Sequence, residues 1–183
     1  MRNLSLIFGL AVVLAFQACE GPEGLPGLQG PPGPQGQQGA PGVNIVATTY
    51  EATVDFTAAN DWEAFLEFPE ELVESDVVLT YILWDVVQGR KIWRAVPQTV
   101  FFPEGPLVYN FDFTQADIRL FLEGTINLRT LDPVWTQDQE FRIVVVPSDF
   151  PKGRIDWTNY DAVTKMFGIT DAQFRKLEPK KKN

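Results

Sequence analysis

The side chains that could carry catalytic or binding chemistry in this chain are few. The 183 residues include no histidine and a single cysteine, Cys19. Ser-His-Asp and Cys-His catalysis and histidine-based zinc sites are therefore excluded. What remains are five tryptophans and 24 aspartate and glutamate residues. We expect no cofactor.

The tryptophans could form a sugar-binding site, because flat aromatic rings with a polar edge suit sugar faces. Trp84 and Trp93 fall on predicted core strands, where packing explains them. Trp62, Trp135 and Trp157 lie near predicted loops and are the candidate ligand-binding aromatics. The alternative is that they are scattered surface aromatics without a function.

The carboxylates suggest two further chemistries. Oxygen-rich clusters bind Ca²⁺, and two groups are dense enough to consider: Glu70, Glu71, Glu74 and Asp76, and then Asp132, Asp138 and Glu140. Their spacing matches no EF-hand loop, and solvated turns explain them equally, so we assign no metal ligand. A hydrolase would need two carboxylates facing each other across a cleft.

The charge balance excludes one class of partner. Residues 43–178 contain 22 acidic and 11 basic residues, a net charge of −11. Binding to nucleic acid or to anionic lipid surfaces relies on Lys and Arg neutralising phosphates, so we expect no nucleic-acid partner. Residues 179–183 form a short basic tail that is predicted to be solvated.

The amino terminus reads as an export signal. Arg2 precedes an apolar run from Leu4 to Phe16, which is too short to span a bilayer but suits a signal peptide. We therefore predict a signal peptide over residues 1–18. Cys19 follows at once, in a position that resembles a bacterial lipobox. This predicts lipidation of Cys19, with residues 19–20 as the anchored start of the mature chain.

The next segment has a glycine at every third position, and six prolines lie among the intervening residues. A collagen triple helix requires this period, because only glycine fits at the shared axis. We predict a collagen-like stalk over residues 21–42, whose axial positions are Gly21, Gly24, Gly27, Gly30, Gly33, Gly36, Gly39 and Gly42.

A homotrimer is the favoured state of this stalk. So short a triple helix forms few interchain hydrogen bonds to offset its loss of backbone entropy. However, anchoring in one membrane raises the effective concentration of the chains, and contacts between head domains would hold the register, so that both would support the trimer. The alternative is a monomeric polyproline-II spacer about 70 Å long.

Residues 44–150 read as a mostly β head domain. Alternation of apolar and polar residues, or short apolar runs between turn signals, predicts its strands. They lie at residues 44–56, 62–68, 77–87, 92–96, 99–102, 107–113, 118–122, 126–131 and 141–146. The pattern predicts an antiparallel β-sandwich, Ig-like in topology, with a jelly roll as the alternative.

Two local features sharpen this prediction. If Gln88 and Gly89 form a hairpin turn, Trp84 and Trp93 would lie directly opposite each other. Residues 151–178 are predicted to form short helices packed on the head, over 159–167 and 171–177. Gly168 would end the first helix, and a Thr170-x-x-Gln173 capping box would begin the second.

The whole chain resembles short collagen-like lipoproteins of Bacteroidetes such as flavobacteria. The resemblance rests on Leu83-Trp84-Asp85, Ile92-Trp93-Arg94, Pro97-Gln98-Thr99-Val100-Phe101, Tyr109-Asn110-Phe111-Asp112-Phe113-Thr114, Thr136-Gln137-Asp138-Gln139 and Val144-Val145-Val146-Pro147. It implies the export, the anchor and the stalk. It implies no activity, and no functional residue beyond Cys19.

We therefore expect a non-enzymatic protein of the bacterial cell envelope, held by its lipid at the periplasmic or outer face of the outer membrane. It would present the acidic head for structural or protein-interaction purposes, to a protein or glycan partner. The second hypothesis is a carbohydrate-binding module on the same stalk. A carboxylate hydrolase is the third.

Overall fold

The computed structural model describes residues 47–148 and 155–180. The predicted signal peptide, Cys19, the stalk glycines and residues 181–183 lie outside the described residues. The described residues form nine strands: β1 (Thr48–Val54), β2 (Glu63–Glu67), β3 (Val77–Val87), β4 (Arg90–Ala95), β5 (Gln98–Phe102), β6 (Gly105–Phe113), β7 (Asp117–Gly124), β8 (Gln139–Val146) and β9 (Arg175–Lys176). They also include one helix, α1 (Tyr160–Phe167).

The strands form two sheets, which confirms the mainly β prediction. The first has the order β4-β3-β8-β1-β9, and the second has the order β2-β7-β6-β5. All described pairings are antiparallel except that of β1 with β9. Side chains from both sheets share one hydrophobic cluster, whose largest fully buried members include Tyr50, Phe56, Tyr109, Leu120 and Phe141.

The strand order differs from the Ig-like order that the sequence favoured. In an Ig-like sandwich the first two strands belong to one sheet, whereas here β1 pairs with β8 and β2 pairs with β7. The chain crosses between the sheets immediately after β1. Phe56 holds this crossing in place, because its ring is buried in the core and its N–H donates to the Thr136 carbonyl at 2.7 Å.

The hairpin of β3 and β4 forms around Gln88 and Gly89 as predicted, and both residues have positive φ angles of 53° and 77°. The predicted cross-strand pair of tryptophans is wrong. A bulge at Trp84 pairs Leu83 with Trp93 instead. Because neighbouring residues of a strand point to opposite faces, Trp84 packs against the shared core while Trp93 lies on the outer face of the first sheet.

The carboxy-terminal segment covers part of that outer face. Val163 and Tyr160 of α1 pack against Tyr81 and Val144 in a second hydrophobic cluster. Asn159 caps the helix through its side-chain oxygen, and Gly168 ends it with a φ of 63°. Helix α1 is too short to span a bilayer, and nothing else in residues 47–148 and 155–180 forms a membrane-spanning helix.

Two predicted elements are wrong. Residues 126–131 form a 3-10 turn (Leu128–Thr130) instead of a strand. Residues 171–177 form a 3-10 turn (Asp171–Gln173) and then β9 instead of a helix. The predicted capping box is present, since the Thr170 N–H donates to Gln173 Oε1 at 2.6 Å. Beyond this capping box, Arg175 and Lys176 pair with β1 as a strand instead of continuing as a helix.

Candidate functional site

One cavity, of about 310 Å³, contains two tryptophans beside acidic residues and lies between β3, the loop before β8 and the start of β8. We call it the tryptophan cavity. Its principal lining residues are Trp84, Trp135, Tyr109, Asp85, Asp138 and Glu140. It contains one of the three predicted ligand aromatics, Trp135, together with a tryptophan that the sequence assigned to packing.

Trp135 is held in place from several directions. It ends a 3-10 turn (Pro133–Trp135) that Asp132 caps, with the Val134 N–H donating to Asp132 Oδ1 at 2.9 Å. The buried Tyr109 hydroxyl donates to the Trp135 carbonyl at 2.7 Å. The Phe102 ring meets the indole edge-on, at a centroid distance of 5.3 Å and an angle of 88°. The wall of the cavity is therefore rigid.

Trp84 is positioned by the bulge in β3, which turns its ring inward. The Arg94 guanidinium lies 4.2 Å from the Trp84 ring centroid, a cation–π distance. The centroids of Trp84 and Trp135 are 6.2 Å apart and their planes are inclined by 53°. The two rings form a tilted pair. They do not form the coplanar platform that the sugar-binding hypothesis requires.

The polar lining of the cavity is acidic. Asp85 Oδ1 accepts the Val86 N–H at 2.7 Å, and Glu140 pairs with Lys91 at 2.5 Å. Asp138 has a positive φ of 53°, and its backbone N–H donates to Asp55 Oδ1 at 2.8 Å. Within the parts of the chain that the structure describes, no three acidic or cysteine side chains converge as a metal cluster would require.

The other two predicted ligand aromatics lie elsewhere. Trp62 is half-buried against the shared core, and its carbonyl accepts the Leu122 N–H at 2.9 Å. Trp157 is 37% exposed and stacks obliquely near Phe167, with ring centroids 6.4 Å apart. Its carbonyl accepts the Tyr81 hydroxyl at 2.7 Å. The structure therefore does not bring Trp62, Trp135 and Trp157 together.

Arg142 is a buried charge that the sequence reasoning missed. The visible signal was an arginine inside the apolar run of β8. Its side chain packs between the rings of Trp93 and Phe174, whose centroids lie 4.6 Å and 4.1 Å from the guanidinium carbon. The guanidinium donates to Tyr160 and, at 2.6 Å, to Asp171.

The charge of Arg142 is retained in this setting. Burial alone would lower the pKa of Arg142, but its hydrogen bonds to Asp171 and Tyr160 outweigh burial and raise it. Its Nε is buried without a hydrogen-bond partner among the described residues. Because its hydrogen-bond partners come from the carboxy-terminal segment, we interpret Arg142 as a residue that helps to fasten this segment to the first sheet.

A second cavity of about 260 Å³ lies beside Trp93 and contains Glu51, Glu140, Lys91 and Lys176. Two carboxylates share it, which is the arrangement that the hydrolase hypothesis asks for. Each has a cationic neighbour, however, because Glu140 pairs with Lys91 and Glu51 lies 3.8 Å from Arg142. The side chains of this cavity form an ion-pair network.

The free edge of the second sheet is the remaining feature of interest. Strand β5 ends the order β2-β7-β6-β5 and pairs only with β6 among the described strands. None of its five residues is charged, and Phe101 is 83% exposed. Comparison of this chain with protein-family models, with curated proteins and with solved structures finds no match.

Proposed function

We propose that this chain is a non-enzymatic, lipid-anchored protein of the bacterial cell envelope that displays an acidic β head on a collagen-like stalk and binds a protein partner through that head. The observation that carries the proposal is the order of three sequence features. An export signal ends at the lone Cys19, and eight glycines in a three-residue register follow it directly.

The head suits display more than catalysis. The chain contains no histidine, and its single cysteine is assigned to the lipid. The carboxylates that share the second cavity are engaged with Lys91 and Arg142. The pairs β1–β8 and β2–β7 are the outer pairs of a jelly roll, whereas its inner pairs are replaced by the hairpins β3–β4 and β5–β6, so the head has the jelly-roll order only in part.

The anchor is tested on cells that express the full chain. Mass spectrometry of the mature protein should find an amino-terminal, acylated Cys19, and Cys19→Ala should abolish the acyl mass and release the protein from the membrane fraction. An unprocessed, unacylated amino terminus in the wild type would refute the anchor.

The trimer is tested by sedimentation of residues 20–183 beside residues 44–183, with circular dichroism of the longer piece. We expect a trimer with a triple-helix signal for the longer piece. The variant Gly33→Ala should lose both, because a side chain at the axis disrupts the triple helix, whereas Gln35→Ala should keep them. Monomers in all samples would leave the stalk as a spacer.

The second candidate is carbohydrate binding, for which the tryptophan cavity offers two indoles, inclined by 53° instead of coplanar, beside acidic side chains. A glycan array tests it with the wild type and Trp135→Ala, and Trp157→Ala serves as the control because Trp157 lies outside that cavity. Glycan binding that requires Trp135 would favour this candidate over a protein partner.

A further inference from the structure

The two sheets have four edges, and three of them are protected against strand addition. Strand β4 carries the charged residues Arg90, Lys91 and Arg94. The edge of β2 is engaged by the tail, because the Lys180 N–H donates to the Phe65 carbonyl at 2.8 Å. Strand β9 has only two residues. Charges, short strands and cover are the usual protections of sheet edges, and β5 has none of the three within residues 47–148 and 155–180.

The backbone groups of β5 that point outward can be identified from its register. Phe101 lies opposite Pro106, which has no N–H, and the Pro106 carbonyl accepts the Thr125 N–H on the β7 side at 3.2 Å. In an antiparallel ladder successive residues alternate between the two sides. The N–H and C=O groups of Phe101 and Thr99 therefore point away from β6, toward the open edge.

One of these outward groups already has a partner, since Gln98 Nε2 donates to the Thr99 carbonyl at 3.0 Å. This bond shows that a donor can reach the outward carbonyls of β5. An added strand would satisfy the remaining groups and would cover the Phe101 ring, which is the most exposed large apolar side chain among the described residues. The edge therefore suits an extended polypeptide segment.

The chemistry of that segment follows from the tryptophan cavity. Phe102 of β5 packs on Trp135, which lines the cavity. The cavity is therefore separated from β5 only by the Trp135 ring. The cavity is lined by Asp85 and Asp138, whereas the Glu140 carboxylate at its border pairs with Lys91; Arg94 already stacks on Trp84. Carboxylates beside indole rings favour an arginine or lysine side chain.

We propose that β5 and the tryptophan cavity together bind an extended segment of a partner protein, which adds to the edge as a strand and places an arginine or lysine in the cavity. A second copy of this chain fits less well. The β5 strand of a second copy would bring no cation to the cavity, because none of its five residues is charged. The inference rests on the proposed protein-binding role, whereas the anchor and stalk are tested separately.

The test measures binding of synthetic peptides to the full chain, purified in detergent, by fluorescence anisotropy. The probes are seven-residue peptides of alternating valine and threonine whose central residue is arginine, lysine, glycine or glutamate. We expect the arginine and lysine peptides to bind at least about tenfold more tightly than the glutamate peptide. Failure of every peptide to bind would overturn the inference and leave the anchor and stalk untouched.

Variants locate the site. Phe101→Pro removes an outward N–H without breaking the β5–β6 ladder, and it should abolish binding of all the peptides. Phe101→Ala should weaken all of them, whereas Val73→Ala, a matched change at an exposed residue outside the proposed site, should have no effect. Asp138→Asn should reduce the preference for arginine over glycine, because it removes a negative charge from the cavity. The backbone should be unchanged, since asparagine tolerates the positive φ of this position.

Three outcomes would each contradict the proposal. Peptide binding that Phe101→Pro leaves unchanged would place the site elsewhere. Equal binding of the arginine and glutamate peptides would remove the cavity from the site. Self-association of the wild type that Phe101→Pro abolishes would assign the edge to a second copy of the chain.

Discussion

The guanidinium carbon of Arg142 lies 4.1 Å from the centroid of the Phe174 ring, which joins β8 to the carboxy-terminal segment. The same group donates to Asp171 and Tyr160. Lysine offers a compact ammonium that cannot stack on the rings and bond both oxygens together. We expect Arg142→Lys to lower the free energy of unfolding by about 1–3 kcal/mol, measured by urea denaturation.

Hydrogen exchange distinguishes a local effect from a global one. In Arg142→Lys, amides of α1 and β9 should lose protection before those of β6 and β7, because only the former depend on this contact. Arg129→Lys is the control, since Arg129 is exposed in the turn after β7. Equal loss of protection throughout the head would show that Arg142 does not fasten the segment specifically.

Alkaline pH should destabilise the head through its buried phenols. Burial raises the pKa of Tyr109 and of Tyr81 well above the ordinary value of about 10. Below about pH 10, the folded and the unfolded protein both keep the phenol protons, so the two tyrosines contribute fully to stability. As pH rises above it, only the unfolded chain releases them, and stability falls by up to about 1.4 kcal/mol per pH unit for each tyrosine.

Urea denaturation at about pH 8 and about pH 11 measures this fall. Tyr109→Phe should be less stable than the wild type at the lower pH, since it loses the bond to the Trp135 carbonyl, but should lose less on going to the higher pH. An identical decline in both proteins would mean that the Tyr109 hydroxyl does not contribute to the pH dependence.

Gly124 and Gly89 should respond differently to alanine. Gly124 has a φ of 146°, and a Cβ there would overlap the Pro106 carbonyl oxygen, whereas a Cβ on Gly89, with a φ of 77°, meets no atom within 4 Å. We expect Gly124→Ala to cost about 3 kcal/mol from strain and overlap, and Gly89→Ala about 1 kcal/mol from strain alone. Thermal and urea unfolding compare the two, and equal costs would contradict the overlap.

Gln88→Asn should stabilise the head. Gln88 and Gly89 both have positive φ angles in a two-residue hairpin loop, and asparagine followed by glycine is the preferred pair for such a turn. We expect a gain of about 0.5–1 kcal/mol in urea denaturation. A loss of stability would mean that the Gln88 side chain makes a contribution that its exposed position does not reveal.

Most strands could be predicted because their signals are local. Residues 77–87 form an apolar run broken only by Thr80 and Asp85, and the structure has β3 over the same span. The bulge at Trp84 could not be predicted, because it depends on packing against Trp135, a residue far along the chain. The same holds for β9, since Arg175 and Lys176 become a strand only where β1 offers an edge.

The candidate site was harder to predict than the fold. Trp135 was identified from its loop position, but its partner Trp84 was assigned to packing because it falls on a predicted core strand; it does pack on the shared core and also lines the cavity. The open edge of β5 has no sequence signal of its own. The sequence of an uncharged strand looks the same whether the strand lies at the centre or at the edge of a sheet. Only the strand order shows that β5 is an edge strand.

The pairing of β1 has a consequence for biosynthesis. Thr48 pairs with Val145, and Tyr50 pairs with Arg175, so both neighbours of β1 are synthesised long after it. Until then β1 has no partner, and non-local pairing of this kind forms slowly. Late closure of β1 would be compatible with the export that we propose, because an exported chain crosses the membrane before it folds.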